Sequence, residues 1–168
     1  EEAGGHFDPI LVDAFQRVMA HRREATLVRW TPDMSVCVER LDEDHQLLIA
    51  LINQVAAAEH IGNRRIVESV LDELVNYTIE HFRREEAYMR AMDYPAMSAH
   101  MLLHAAFTES IQDIRWQYLH GLRPNISGDV LSFLRDWLSK HILVEDREYV
   151  RFASVRAGAG ARLTDDPG

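Results

Sequence analysis

The chain has 168 residues, enough for one domain with an extension, and its 47% apolar and 27% charged residues fit a globular fold. Eighteen Lys and Arg against 27 Asp and Glu leave a net charge of -9, which argues against nucleic acid and anionic membrane as partners because both require a basic footprint. The longest apolar run, Leu47 to Ile52, falls far short of a membrane span, and the single cysteine, Cys37, excludes an internal disulfide, a CxxC pair and a zinc site built on two thiolates.

Between the glycines and prolines, apolar residues recur at steps of three and four, the helical period. A first amphipathic segment is predicted from about Asp8 to Val28, with Leu11, Ala14, Phe15, Val18 and Met19 on one stripe. An irregular stretch, Arg29 to Leu41, carries Trp30, Pro32 and Cys37, the last read as a small buried hydrophobe. The next segment, about Asp42 to His60, presents Leu48, Ile49, Ile52, Val55 and Ala56, with Asp42 as a helix-start residue. Gly62-Asn63 reads as a helix stop followed by a new N-cap. A long segment, about Arg64 to Met92, turns Val67, Leu71, Leu74, Val75 and Thr78 inward and is broken by Asp93-Tyr94-Pro95. A fourth runs from about Ser98 to His120 and the last from about Gly128 to Phe152, where Leu131, Leu134, Leu138 and His141 nearly align. No strand pattern appears. The expectation is an all-α fold, an antiparallel up-down four-helix bundle with an extra N-terminal helix.

The nine histidines are the compositional anomaly. Five fall inside the four bundle helices at informative spacings: His45 alone, His81 with Glu85 as HxxxE, His100 with His104 as HxxxH, and His141 with Asp146 as HxxxxD. Residues four apart on a helix differ by about 40° in direction, so each such pair can serve one site from one face. The five-residue step turns a regular helix about 140° beyond a full circle. It therefore predicts either a local widening of that helix, of the π-bulge kind, or a reach by Asp146 across the bundle. Heights agree as well. His45 to the turn near Ile61, and Asn63 to His81, are climbs of roughly 24 and 27 Å at 1.5 Å per residue, which bring both residues to one level. His6, His21, His60 and His120 lie at termini or helix ends without carboxylates at ligand spacing and read as ordinary residues.

Five imidazoles and two carboxylates without a thiolate suit iron, manganese, copper or zinc rather than calcium or magnesium. Seven donors exceed a tetrahedral zinc site and fit two metals sharing bridging carboxylates. The carboxylate count is also low compared with ferritin-like sites, which use Glu-x-x-His motifs, absent from this chain. Fewer anionic donors stabilise high-valent iron less, and this favours reversible dioxygen binding over substrate oxidation.

These motifs resemble the hemerythrin family, in particular the bacterial hemerythrins. The resemblance runs from Trp30 to about Tyr149. It rests on Trp30, on Val38-Glu39-Arg40-Leu41-Asp42-Glu43-Asp44-His45 and on His81-Phe82-Arg83-Arg84-Glu85-Glu86. It continues with Tyr94-Pro95 ahead of His100 and His104, and with Trp137-Leu138-Ser139-Lys140-His141 followed by Asp146. It implies two iron ions, one bound by His100, His104 and His141 and the other by His45 and His81, with an open position for dioxygen. Glu85 and Asp146 would bridge the pair together with an oxo or hydroxo group. Phe82, Trp137 and Leu138 would form part of an apolar wall that keeps water out, although all three would be core residues with or without a metal. The implied organisation is an N-terminal extension over 1–29, a hemerythrin-like di-iron bundle over 30–152 and a flexible tail over 153–168.

Three function classes stay open at this point. The lead is a non-enzymatic protein that stores, transports or delivers dioxygen. The second is an oxygen or redox sensor domain with a fused or partner signalling domain, a reading kept open by the leading helix and by a chain that starts at Glu1 without a methionine. The third is a di-iron oxidase, peroxidase or nitric oxide-handling enzyme. The lack of a basic, apolar signal segment gives a cytoplasmic expectation.

Overall fold

In a computed structural model, residues 27–162 are described, with side chains to Arg156. After a short 3-10 turn, Pro32–Met34, the chain forms α1 (Glu39–Ile61), α2 (Arg64–Ala91), α3 (Met97–Leu119) and α4 (Gly128–Lys140). A π turn, His141–Glu145, then runs directly into α5 (Asp146–Arg162), so that α4, the π turn and α5 form one continuous fourth helix. No strand occurs among the described residues. α1 packs on α2, α2 on α3, and α4 returns against α1, the up-down bundle that short loops between long amphipathic helices require. Among the described residues, no helix is long and apolar enough to cross a membrane.

Local chemistry fixes where the helices stop. Gly62 takes the left-handed conformation at φ 71° and bonds back to Glu59, and the Asn63 side chain then accepts from the Ile66 N–H to start α2. α2 ends in a Schellman motif. Tyr94 N–H reaches the Met89 carbonyl at 3.0 Å and Asp93 N–H the Arg90 carbonyl at 3.1 Å, with Asp93 at φ 53° in the place glycine usually takes. Tyr94 and Met89 also share a buried cluster, the apolar contact that accompanies this motif. Gly121, at φ 73°, closes α3 in the same way, with Leu122 N–H on the Gln117 carbonyl at 2.9 Å.

Three expectations need adjustment. α1 begins at Glu39, three residues before Asp42. Asp42 already donates its own N–H to the Val38 carbonyl, while its carboxylate accepts from Val36 N–H at 2.7 Å and Ser35 Oγ at 2.6 Å, pinning the incoming loop rather than capping the helix. Cys37 is exposed rather than buried; it sits at φ 60° between the buried Val36 and the start of α1. The last helix continues past Phe152 to Arg162. The amphipathic segment expected from Asp8 to Val28 falls on residues outside the described part, except Leu27 and Val28, which are not helical.

The core is split in two. A large cluster, including Leu48, Ile52, Leu71, Leu74, Ile111 and Leu134, fills the bundle toward the 62 and 121 loops. A smaller one, Val36, Leu41, Met89 and Tyr149, closes the other end. Leu41 and His45, Met89 and Glu85, and Tyr149 and Asp146 are one turn apart on their helices. The layer between the two clusters is therefore the one in which the predicted polar residues lie.

Candidate metal centre

The seven side chains singled out by spacing come from all four bundle helices and meet in that layer. His45, His81, Glu85, His100, His104, His141 and Asp146 are all buried, none more than 5% exposed. Glu85 Oε2 lies 3.0 Å from His104 Nε2, 3.7 Å from His100 Nε2, 3.9 Å from His141 Nε2 and 4.0 Å from His81 Nε2. Asp146 Oδ1 lies 3.1 Å from His141 Nε2 and 3.4 Å from His100 Nε2, and its Oδ2 lies 3.4 Å from His45 Nε2. Donor atoms of Glu85, His100, His104 and His141 gather within 4.8 Å of one another, and so do those of His45, His81 and Glu85. Glu85 belongs to both groups. The widened turn between His141 and Asp146 is what allows the last helix to contribute two residues, as one of the two alternatives expected for HxxxxD.

Closeness here does not mean mutual satisfaction. Glu85 Oε2, both Asp146 oxygens, His100 Nε2 and both ring nitrogens of His45 and His81 are buried without a hydrogen-bond partner. Leaving one such atom unpaired costs about 1–3 kcal/mol, and more for a charged group. So many in one layer calls for a species that satisfies lone pairs collectively. A cation does so, and this imidazole and carboxylate donor set fits iron.

Electrostatics point the same way. Burial pushes His45 down to about 3 and His141 down to about 4, so both rings are neutral and have lone pairs available. Burial acts in the same direction on His100, but contacts with Asp146 and Glu85 prevail and raise it to about 9. Burial alone would raise the Glu85 carboxyl, yet the surrounding His100, His104 and His141 hold it well below the usual range. Asp146 is pushed up by burial and by the neighbouring Glu85 charge. Two carboxylates sharing one dry layer repel each other, and a cation between them removes that repulsion.

A second set of groups fixes the first. Glu86 Oε1 sits 3.0 Å from His104 Nδ1, and since an ionised carboxylate only accepts, Nδ1 carries the proton and Nε2 faces the layer as a lone pair. Tyr149, fully buried, donates its OH to Glu85 Oε1 at 2.8 Å and thereby leaves Oε2 for the centre. Asp44, also fully buried, accepts from Tyr77 OH and from Arg84 Nε, each at 2.7 Å, and lies 3.5 Å from His81 Nδ1. Burial would raise the Asp44 carboxyl, but the nearby His81 ring and the bonds from Arg84 and Tyr77 outweigh burial and hold it well below the usual range. Sequence reasoning did not single out Asp44, Glu86 or Tyr149. Their partners lie on other helices, and only the place of Tyr149 one turn after Asp146 could have drawn attention.

Aromatic rings line the layer. Phe82 stacks on His104 with centroids 3.8 Å apart, and Trp137 stacks on His141 at 4.4 Å with Phe107 on its far side at 3.7 Å. Leu138 is buried in the large cluster, and Trp30 lies 6.4 Å from His45. His60 and His120 are exposed, and the latter bonds to the Trp116 carbonyl of its own helix. His6 and His21 lie outside the described residues.

Fold and site together define a four-helix bundle with a buried histidine and carboxylate centre for cations. Residues 37–153 match the Hemerythrin HHE cation binding domain, and the chain belongs to the hemerythrin family. It is 31% identical over 123 residues to a bacteriohemerythrin of Stenotrophomonas maltophilia, covering 73% of this chain and 79% of that protein. It is 29% identical over 121 residues to myohemerythrin-1 of Phascolopsis gouldii, covering 71% and 89%. The crystal structure of a wild-type hemerythrin superposes with a TM-score of 0.70 at 28% identity, covering 74% of this chain and 96% of that one. The family is one of non-heme iron proteins that bind dioxygen.

Proposed function

We propose that this chain binds dioxygen reversibly at a non-heme di-iron centre, as an oxygen storage, transport or delivery protein. The observation that carries the reading is the unequal division of imidazoles about the two carboxylates, three gathered on one side of Glu85 and two on the other. On this reading His100, His104 and His141 would hold one iron, and His45 and His81 the second. Glu85 and Asp146 would hold both ions between them, and the half with one imidazole fewer would leave room for dioxygen. Bound there, the iron pair supplies reversible two-electron redox chemistry that needs no organic substrate.

The chain's own residues set the conditions for that chemistry. Phe82, Trp137 and Leu138 exclude water from the layer, which protects a reactive centre from side reactions. Glu86 holds the His104 ring in the tautomer that presents Nε2, and Tyr149 holds Glu85 by its outer oxygen so that the inner one is free. The His81→Ala variant is expected to lose dioxygen binding, whereas His60→Ala, at an exposed helix end, is expected to retain it. Equal behaviour of the two variants in air-dependent visible spectra would overturn the ligand assignment.

One feature favours a second reading, an oxygen or redox sensor module. The arm that precedes α1 is tied to the site's surroundings. Arg147, next to Asp146, donates to the Asp33 carbonyl, Trp30 faces His45, and Asn53 clasps both the N–H and the carbonyl of Val28 at 3.1 and 2.8 Å. A change at the centre would thus be felt by the segment that leads back to residues 1–29. Hydrogen exchange over residues 27–38 that differs between argon and air supports this reading, and identical exchange opposes it.

A further inference from the structure

The residues that precede two of the proposed ligands pair with each other. Asp44 stands immediately before His45 on α1, and Arg84 immediately before Glu85 on α2, and Arg84 Nε donates to Asp44 Oδ2 at 2.7 Å. Asp44 is wholly buried, while Arg84 is 30% exposed and lies over the Tyr77 ring, whose OH donates to the other Asp44 oxygen. Arg40 approaches the same oxygen from the surface at 3.6 Å. Of all these groups only His81 belongs to the metal layer, and its Nδ1 faces Asp44 Oδ2 at 3.5 Å. The other half of the site has a counterpart that is closer to its imidazole but less supported: the Glu86 carboxylate, 3.0 Å from His104 Nδ1, is 19% exposed and, among the described residues, is bonded to no arginine or tyrosine.

We infer that Asp44, fixed by Arg84 and Tyr77, is the positioning residue of the His45 and His81 half of the centre, and that it selectively tightens metal binding in that half. The inference rests on the di-iron reading above. An imidazole whose second nitrogen is hydrogen-bonded to a carboxylate is locked in orientation and tautomer and is the more basic ligand, and loss of such a partner typically costs 10–100-fold in metal affinity. Asp44 acts through His81 and does not touch the metal. Its burial and its two further donors keep its carboxylate from rotating away, so the effect falls on the half that has only two imidazoles. Because Arg84 and Glu85 are neighbours, the same tie also holds the bridging carboxylate in register with α1.

The test is stepwise titration of the apoprotein with cobalt(II), followed by its visible absorption, whose intensity and band positions report coordination number. The wild type is expected to take two equivalents. Asp44→Asn is expected to weaken one equivalent about 10–100-fold, to shift the bands of that equivalent only, and to leave the other within a few-fold. Two wild-type equivalents, or equal weakening of both, would overturn the inference. If Asp44→Asn loses its helical circular dichroism, Tyr77→Phe decides. It removes one 2.7 Å bond to Asp44 and keeps the carboxylate, and it is expected to weaken the same equivalent by a smaller factor, an unchanged titration again being contrary. Failure of the wild type itself to bind two equivalents would count against the di-iron reading and, with it, this inference. A normal wild type with an unaffected variant would count against the inference alone.

Discussion

His141 Nε2 and Asp146 Oδ1 lie 3.1 Å apart on one continuous helix, five residues from each other. The Asp146 N–H bonds back to the His141 carbonyl, and this i to i−5 bond widens the turn until both side chains reach the same point. The turn thus behaves as a single residue inserted into a four-residue spacing. Deletion of Val144, half-exposed on its outer side, is expected to restore α geometry with His141 and Asp146 about 40° apart, and to preserve metal content. An alanine inserted after Val144 is expected to swing Asp146 by about 100° and to lower metal content sharply. Metal analysis of the two purified variants checks both statements, and loss of metal in the deletion variant would contradict the geometric reading.

Tyr149 and Glu85 form a buried pair in which removal of one partner exposes the cost of the other. Tyr149→Phe keeps the ring in its cluster with Tyr88, Tyr94 and His100 and deletes only the 2.8 Å bond to Glu85 Oε1. The apoprotein is expected to lose about 1–3 kcal/mol, measured by urea unfolding. A neutral substitution would mean that Glu85 finds another donor.

Phe82 and Leu74 are both buried on α2, two turns apart, but only Phe82 touches the metal layer. Phe82→Ala is expected to cost about 3–5 kcal/mol and Leu74→Ala about 2–5 kcal/mol. Only Phe82→Ala is expected to speed the conversion of the iron centre to a ferric form in air, because it alone opens the wall over His104. Equal rates in the two variants would remove Phe82 from its proposed role.

Metal is expected to stabilise the bundle without creating it, since two apolar clusters pack on either side of the layer. At free metal about 100 times its dissociation constant the native state gains about 2.7 kcal/mol per site. A chelator is therefore expected to lower the melting temperature while far-ultraviolet dichroism at 25 °C stays helical. Complete loss of helix on chelation would contradict this.

Helix positions and the shared layer of histidines and carboxylates were legible in the sequence because both follow from local rules. Gly62-Asn63 and Asp93-Tyr94-Pro95 stop and restart helices by backbone chemistry that depends on neighbours in the chain. His81 with Glu85, and His100 with His104, share a face by helical geometry alone. The supporting residues were not legible, because their roles depend on which helix packs beside them. Asp44 points to α2, Glu86 to α3, and nothing within α1 or α2 announces either partner. Asp42 does stand in the first turn of its helix, but its bonds to Ser35 and Val36, which pin the incoming loop, were not legible. Cys37 turned out exposed and at a positive φ, neither of which composition encodes.

Reversible oxygen binding at two irons is read out by gas cycling of a single sample. The protein, loaded with iron and reduced under argon, is exposed to air, stripped with argon and exposed again while its visible spectrum and iron content are recorded. The expected result is two irons per chain, one for each histidine group, and a charge-transfer band that rises in air and falls under argon over several cycles. Fewer than two irons per chain, or a permanent change to the ferric spectrum on first exposure, would contradict it.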